Sequence, residues 1–204
     1  MARGISGAAG YAYMGEDPAG AGLRYGLLGL RLDTGDMGGA LRLAVLRDSA
    51  AVQSALGPDG QTLLDTVQAP TPAARLAPVA GKPLWEQPWK SILSRAAATN
   101  VFRAGQNEYC VEELLRPAAQ RLLVHTALAS GTALAMALDI LAELGRDAGL
   151  GALERALSGQ GAQSVQALRD ALVIACPSCR LRLQDLARDK ALAEWRPVES
   201  EVQQ

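Results

Sequence analysis

The chain of 204 residues is long enough for one domain or two small ones, each with a buried core. Hydrophobic residues make up 49% of the chain and aromatic residues only 4%, so the core must consist mainly of Leu, Ala and Val, which favours packed helices over a β-sandwich. The near-equal charges, 20 basic against 21 acidic residues, argue against a nucleic-acid-binding module, since such modules carry a basic excess.

The sequence predicts neither a secretory leader nor a membrane span. Residues 1–22 have no continuous apolar run, and the longest apolar candidate, residues 122–144, is interrupted by several polar side chains. The odd number of cysteines, three, differs from a disulfide framework. We therefore expect a cytoplasmic protein whose thiols are normally reduced.

Residues 1–68 are expected to form a small N-terminal segment that is partly irregular. Its first 22 residues are rich in Gly and Ala and show no periodicity. Residues 23–32 and 40–48 could form a hairpin around the Asp- and Gly-rich residues 33–39. A helix over residues 39–56 is the favoured alternative, because Leu41, Val45, Val52 and Leu56 share one helical face before the stop signal Gly57-Pro58.

Residues 69–88 are expected to form a Pro/Trp-rich linker or arm. The stretch from Ala69 to Trp89 contains five of the ten prolines, a density that favours extended chain over helix interiors. Trp85 and Trp89 close it. These tryptophans either fasten the arm to the helical domain or form an exposed element that binds a partner, since Trp is enriched at binding hot spots.

Residues 89–204 are expected to form the main domain, a helical bundle of five or six helices, so that the fold class is mainly α. Apolar residues recur at helical spacing throughout, and short loops between such helices imply antiparallel neighbours. Pro117 should kink or restart a helix, Asn107 is a plausible N-cap, and Ser164 should cap the segment that follows it.

The Cys176-Pro177-Ser178-Cys179 motif is the strongest candidate for chemistry. Two cysteines with this spacing can close a disulfide or present two thiolates to one metal ion. Pro177 suits a helix start because its missing N–H would have no partner there, and the helix dipole would favour Cys176 as a thiolate. The alternative is that both cysteines are small core residues, as free cysteines often are.

The string ALVIACPSCRLRLQDLA resembles two families of redox proteins. It is similar to the strand, CPxC motif and helix that open a glutaredoxin. It also resembles the closing half of the cysteine-rich domain of heterodisulfide-reductase-type oxidoreductases. Both resemblances are confined to this string, and both imply an apolar strand before Cys176; the second family also has an adjacent cysteine pair upstream, which this chain lacks.

Cys110 and His125 complete a conceivable Cys₃His zinc set with the CPSC motif. The two residues are fifteen positions apart, which on one straight helix would span about 22 Å, so only a fold at Pro117 could bring them together. His125 also lies in phase with Leu122 and Ala129, which is typical of a half-buried histidine with a structural role. No serine-based catalytic motif accompanies it, and we predict no catalytic residue.

Two functions of different classes follow. The preferred one is a non-enzymatic helical assembly or accessory protein that binds a protein partner or a second copy of itself through Trp85 and Trp89, without a cofactor. The alternative is a thiol-based redox or metal-binding protein that uses Cys176 and Cys179, with zinc or an iron–sulfur cluster as the cofactor. A nucleic-acid partner is not expected.

Overall fold

The computed structural model of the protein describes residues 8–17, 20–82 and 89–195. These residues are mainly helical, as expected, and they form two compact units, one ending at Cys110 and the other beginning at Val111. No helix among the described residues combines the length and apolar character needed to cross a membrane.

The first unit begins with a short helix, α1 (Ala8–Tyr11), and a three-stranded antiparallel sheet. Its strands are β1 (Met14–Asp17), β2 (Gly22–Tyr25) and β3 (Leu30–Arg31), in the spatial order β1-β2-β3. Met14 pairs with Tyr25, and Tyr25 pairs with Leu30. The N-terminal segment thus contains a hairpin, but it lies earlier than the one considered at residues 23–48.

Gln106, which is almost fully buried, links this sheet to a later helix. Its side-chain oxygen accepts a hydrogen bond from the Leu27 N–H at 3.0 Å, and its amide nitrogen donates to the Tyr11 carbonyl at 3.2 Å. A Cβ on Gly26 would lie 2.0 Å from the Gln106 oxygen, and the backbone there has a φ of +68°. A residue with a side chain would therefore both displace the amide and strain the backbone.

Six further helices complete the first unit: α2 (Asp36–Arg47), α3 (Ser49–Leu56), α4 (Gly60–Val67), α5 (Pro72–Leu76), α6 (Trp89–Ala97) and α7 (Asn100–Tyr109). The preference for a helix over a hairpin strand after residue 39 is confirmed. The single helix expected over residues 39–56 is wrong in one respect, because Asp48 divides it. The Asp48 backbone is extended, and its carboxylate caps α3 by accepting from the Ala51 N–H at 2.9 Å.

Part of the expected linker is helical. Thr71 caps α5 by accepting from the Ala74 N–H, and Pro72 occupies the first helical position, where proline removes no helical hydrogen bond. The buried Arg75 guanidinium donates to the carbonyls of Asp33 and Ala69. Residues 83–88, which include Trp85, lie outside the described residues.

Helices α6 and α7 pack with α2 and α3. The contact between α2 and α7 is close, because a Cβ on Gly105 would lie 2.7 Å from the Ala40 carbonyl oxygen and 2.8 Å from the Ala44 nitrogen. The Tyr109 hydroxyl donates to the Asp36 carboxylate at 2.7 Å in the same interface. The structure therefore groups residues 89–110 with the preceding helices, whereas the sequence predicted that a separate domain begins at residue 89.

The second unit is entirely helical within the described residues. A π-helical segment (Cys110–Leu115) leads into α8 (Arg116–Leu123), and the helices that follow are α9 (Gly131–Leu144), α10 (Arg146–Ser158), α11 (Val165–Ala175), α12 (Arg180–Arg188) and α13 (Lys190–Glu194). The helices from Trp89 onward outnumber the five or six expected. Short segments such as α13 carry too little apolar periodicity to be counted from sequence.

Pro117 explains the change from the π-helical segment to the α-helix α8. Proline lacks the N–H that would bond the Glu113 carbonyl, and its ring crowds that carbonyl. The chain widens into the π-helical segment just before Pro117 and resumes as an α-helix at Arg116. The restart expected at Pro117 is confirmed, but Asn107 lies inside α7 and is not an N-cap.

Helix α9 is the most buried element of the second unit, with Ala133, Met136, Ala137, Ile140 and Leu141 in its core-facing positions. Ser130 caps it by accepting from the Ala133 N–H at 3.3 Å. Ser164 caps α11 in the same way through the Ala167 N–H, as the sequence predicted.

Candidate functional site at the CPSC motif

The CPSC motif forms a tight turn between two helices. Helix α11 ends at Ala175, Cys176 leaves the helical conformation, and Pro177–Cys179 make one 3-10 turn before α12 begins at Arg180. The Cys179 N–H donates to the Cys176 carbonyl at 3.0 Å and so closes the turn. The strand that both family resemblances imply before Cys176 is absent from the structure, because residues 165–175 are helical.

The sulfurs of Cys176 and Cys179 lie at disulfide distance, with their Cα atoms 5.5 Å apart. Cys176 is 3% exposed and Cys179 is 0% exposed, whereas Pro177 and Ser178 between them are exposed. The Ser178 hydroxyl lies 3.3 Å from the Cys176 sulfur. The pair therefore lies beneath the surface of the turn, and both cysteines are almost fully buried.

Arg182 connects this pair to two carboxylates on α9. Its Nη2 atom lies 3.2 Å from the Cys179 sulfur and 3.0 Å from Glu143 Oε2, and its Nε donates to Asp139 Oδ1 at 2.9 Å. All three charged side chains are largely buried: Arg182 is 23% exposed, Asp139 12% and Glu143 18%. Burial disfavours the charged guanidinium, but its bonds to Asp139 and Glu143 outweigh this and raise the pKa of Arg182 above its ordinary value.

Sequence reasoning missed this cluster. The carboxylates that bind Arg182 lie 43 and 39 residues earlier in the chain, so no local pattern around Arg182 indicates them. The available signal was the i, i+4 pair Asp139 and Glu143 within the otherwise apolar α9, since two carboxylates on one face of a buried helix require a cation.

Cys110 lies in the first unit and is not part of this turn. Burial, together with the charge of Asp36, raises the pKa of Cys110 from 9.0 to about 12. At neutral pH this side chain is a protonated thiol, the form that neither attacks a disulfide nor binds a metal.

His125 follows α8 and precedes the short 3-10 turn Thr126–Leu128. It lines an open cleft of about 500 Å³ together with Gln120, Arg121, Val124, Glu154, Leu157 and Ser158. No cysteine contributes to this cleft. Within residues 8–17, 20–82 and 89–195, no three His, Cys, Asp or Glu side chains are arranged to hold a metal ion.

Trp89 begins α6 and is only 3% exposed. A side chain this buried presents almost no surface to another molecule and instead contributes to the core of the first unit. The expected role of Trp85 in partner binding falls on a residue outside the described part of the chain.

The large apolar side chains that are exposed in the second unit include two next to the motif. Ile174, two residues before Cys176, is 83% exposed, and Leu181, two residues after Cys179, is 73% exposed.

Comparison with known protein families and with curated protein sequences finds no match to this chain.

Proposed function

We propose that this protein is a thiol-based redox protein in which Cys176 and Cys179 alternate between a dithiol and a disulfide. The observation that supports this proposal is the position of the two sulfurs, at disulfide distance across a single turn, with a guanidinium beside one of them. In a compartment where thiols are kept reduced, such a pair would form its disulfide reversibly.

The exchange reaction needs a partner thiol or disulfide. A thiolate of the reduced pair attacks one sulfur of the partner disulfide, forms a mixed disulfide and releases the first partner sulfur as a thiolate. The second cysteine then loses its proton and attacks the cysteine of the mixed disulfide, which releases the second partner sulfur. The pair loses two electrons and two protons, and the partner disulfide gains them as two thiols.

A purely stabilising role for the bond is less well supported. In the chain-entropy model, a loop closed by residues only three apart gains about 2 kcal/mol, against about 3 kcal/mol for a loop of fifteen residues. Both cysteines are also already fixed by the turn and by the ends of α11 and α12. A bond that constrains so little chain is better explained by its chemistry.

Thiol titration in glutathione buffers of graded ratio tests the proposal. The wild type should lose two reactive thiols reversibly as the buffer becomes oxidising, and peptide mass spectrometry should assign the loss to Cys176 and Cys179. Cys176→Ser and Cys179→Ser should each abolish the transition, and Cys110→Ser should leave it unchanged. A pair that stays fully reduced or fully oxidised across the whole series would exclude this function.

Metal binding by the same pair is tested on protein purified in reducing buffer without a chelator. The pair supplies two ligands, and a zinc or iron–sulfur site would need two more from another chain or molecule. Stoichiometric zinc or iron, lost in Cys176→Ser, would replace the redox proposal with a metal site shared between molecules.

A second candidate function is that of a helical accessory protein that binds a protein partner or a second copy of itself. The exposed apolar side chains of Ile174 and Leu181, one on each side of the CPSC motif in the chain, favour it, because exposed apolar surface can mark an interaction site. Self-association should appear as a mass that rises with concentration in light scattering. Replacement of both residues by serine should abolish that rise, whereas Leu46→Ser, at an equally exposed position in the first unit, should not.

A further inference from the structure

We infer that Asp139 and Glu143 hold the CPSC pair toward its disulfide form and that Arg182 opposes them, so that this cluster sets the redox equilibrium of the site. This inference rests on the proposed function. It concerns residues that act on the cysteines through charge and make no bond to the partner.

The sign of each charge gives the direction of its effect. Arg182, whose Nη2 lies 3.2 Å from the Cys179 sulfur, carries a positive charge, and Asp139 and Glu143, which bind Arg182, each carry a negative charge. Oxidation leaves neutral sulfurs, whereas reduction allows a thiolate to form beside these charges. A thiolate is repelled by the two carboxylates and attracted by the guanidinium, whereas the neutral disulfide is affected by neither.

Burial makes this repulsion effective. All three charged side chains are less than a quarter exposed, and Cys179 is fully buried. Charges in such a position are poorly screened by salt and by water. The same geometry prevents the guanidinium from acting on the sulfur alone, because Nη2 is shared between Cys179 and Glu143.

Opposite substitutions should therefore move the equilibrium in opposite directions. Glu143→Gln and Asp139→Asn remove a negative charge while keeping the side-chain shape, and they should favour the dithiol at least threefold at pH 8.5, where the thiolate is abundant. Arg182→Gln leaves two carboxylates without their cation and should favour the disulfide by about twofold at pH 8.5, the largest shift that suppression of a half-ionised thiolate allows. Arg182→Lys retains the charge and should restore most of the wild-type value. Simple damage to packing has no reason to produce effects of opposite sign.

The experiment measures the equilibrium constant between the cysteine pair and glutathione at pH 7.0 and pH 8.5, with peptide mass spectrometry to count alkylated cysteines. The differences between variants should grow at pH 8.5, because an ordinary thiol is half ionised near that pH and the charges act on the thiolate. Arg180→Gln is the matched control, since it removes the same charge from an exposed neighbouring position and should leave the constant unchanged within the error of the measurement.

Two results would separate the inference from the proposed function. If Glu143→Gln and Arg182→Gln shift the constant in the same direction, or neither shifts it, the inference is overturned while the redox function stands. If the wild-type pair responds only to dithiothreitol and not to glutathione, the proposed function fails, and the order of the variants against dithiothreitol still decides the inference.

Discussion

Two glycines in α10 offer a matched test of how closely α9 and α10 pack. Gly149 and Gly151 lie two residues apart in the same helix, so replacement by alanine brings each the same gain in helix propensity, about 1 kcal/mol. Their surroundings differ. A Cβ on Gly149 would lie 2.6 Å from the Leu141 Cα atom, whereas a Cβ on Gly151 would meet only the flexible end of Arg155 at 3.4 Å.

The two substitutions should therefore have opposite effects on stability. Gly151→Ala should stabilise the second unit by about 1 kcal/mol. Gly149→Ala forces a methyl group against helix backbone, and overpacking of this kind costs about 1–3 kcal/mol. Because backbone cannot rotate away, we expect the upper end of that range and a net loss of about 2 kcal/mol for Gly149→Ala.

Urea unfolding followed by circular dichroism at 222 nm measures both effects. Both positions lie in one helix, so both report on the same unfolding transition. The midpoints of the two variants should differ by about 1 M urea or more and should lie on opposite sides of the wild type. If Gly149→Ala is as stable as Gly151→Ala, the close approach of α9 and α10 at Leu141 is refuted.

Three further predictions concern the first unit. Tyr109→Phe removes the buried hydrogen bond to Asp36 and should lower the free energy of unfolding by about 1.5–3 kcal/mol. An unchanged free energy of unfolding in urea titration would argue against that bond. The pKa of Cys110 is raised to about 12, so above pH 9 the folded protein keeps this proton while the unfolded chain loses it. The free energy of unfolding should therefore fall as the pH rises, by at most about 1.4 kcal/mol per pH unit. Cys110→Ala should accordingly show a shallower decline in urea midpoint between pH 9 and pH 11 than the wild type, and equal slopes would contradict this assignment. Asp48→Ala should cost about 1 kcal/mol through loss of the cap on α3, and Asp48→Asn, which can still accept from Ala51, should recover most of it in the same assay.

The helical character of the chain was predictable because apolar residues at helical spacing dominate most of its length. The errors have local physical causes. Asp48 can bond its own backbone and so interrupts a continuous apolar stripe, and Pro72 begins a helix where proline density suggested extended chain. The short strands were hard to see, since β3 has only two residues and β2 is buried at all four of its positions, which removes the alternation typical of a strand.

The candidate site was predictable only in its local part. The CPSC turn is visible in sequence because its two cysteines and its proline are neighbours in the chain. The charges beside it come from α9, about forty residues earlier, and no local pattern connects them to Arg182. The burial of Trp89 likewise depends on its neighbours in the folded first unit, which a proline-rich context did not indicate.

The buried amide of Gln106 has a consequence for synthesis on the ribosome. Tyr11 and Leu27, which flank the first two strands, emerge first, but Gln106 follows 79 residues after Leu27 and 95 after Tyr11. At roughly 5–20 residues per second, translation needs on the order of 4–20 s to deliver it. During that interval the Leu27 N–H and the Tyr11 carbonyl lack their partner on Gln106, and we expect chaperones to bind this part of the nascent chain first.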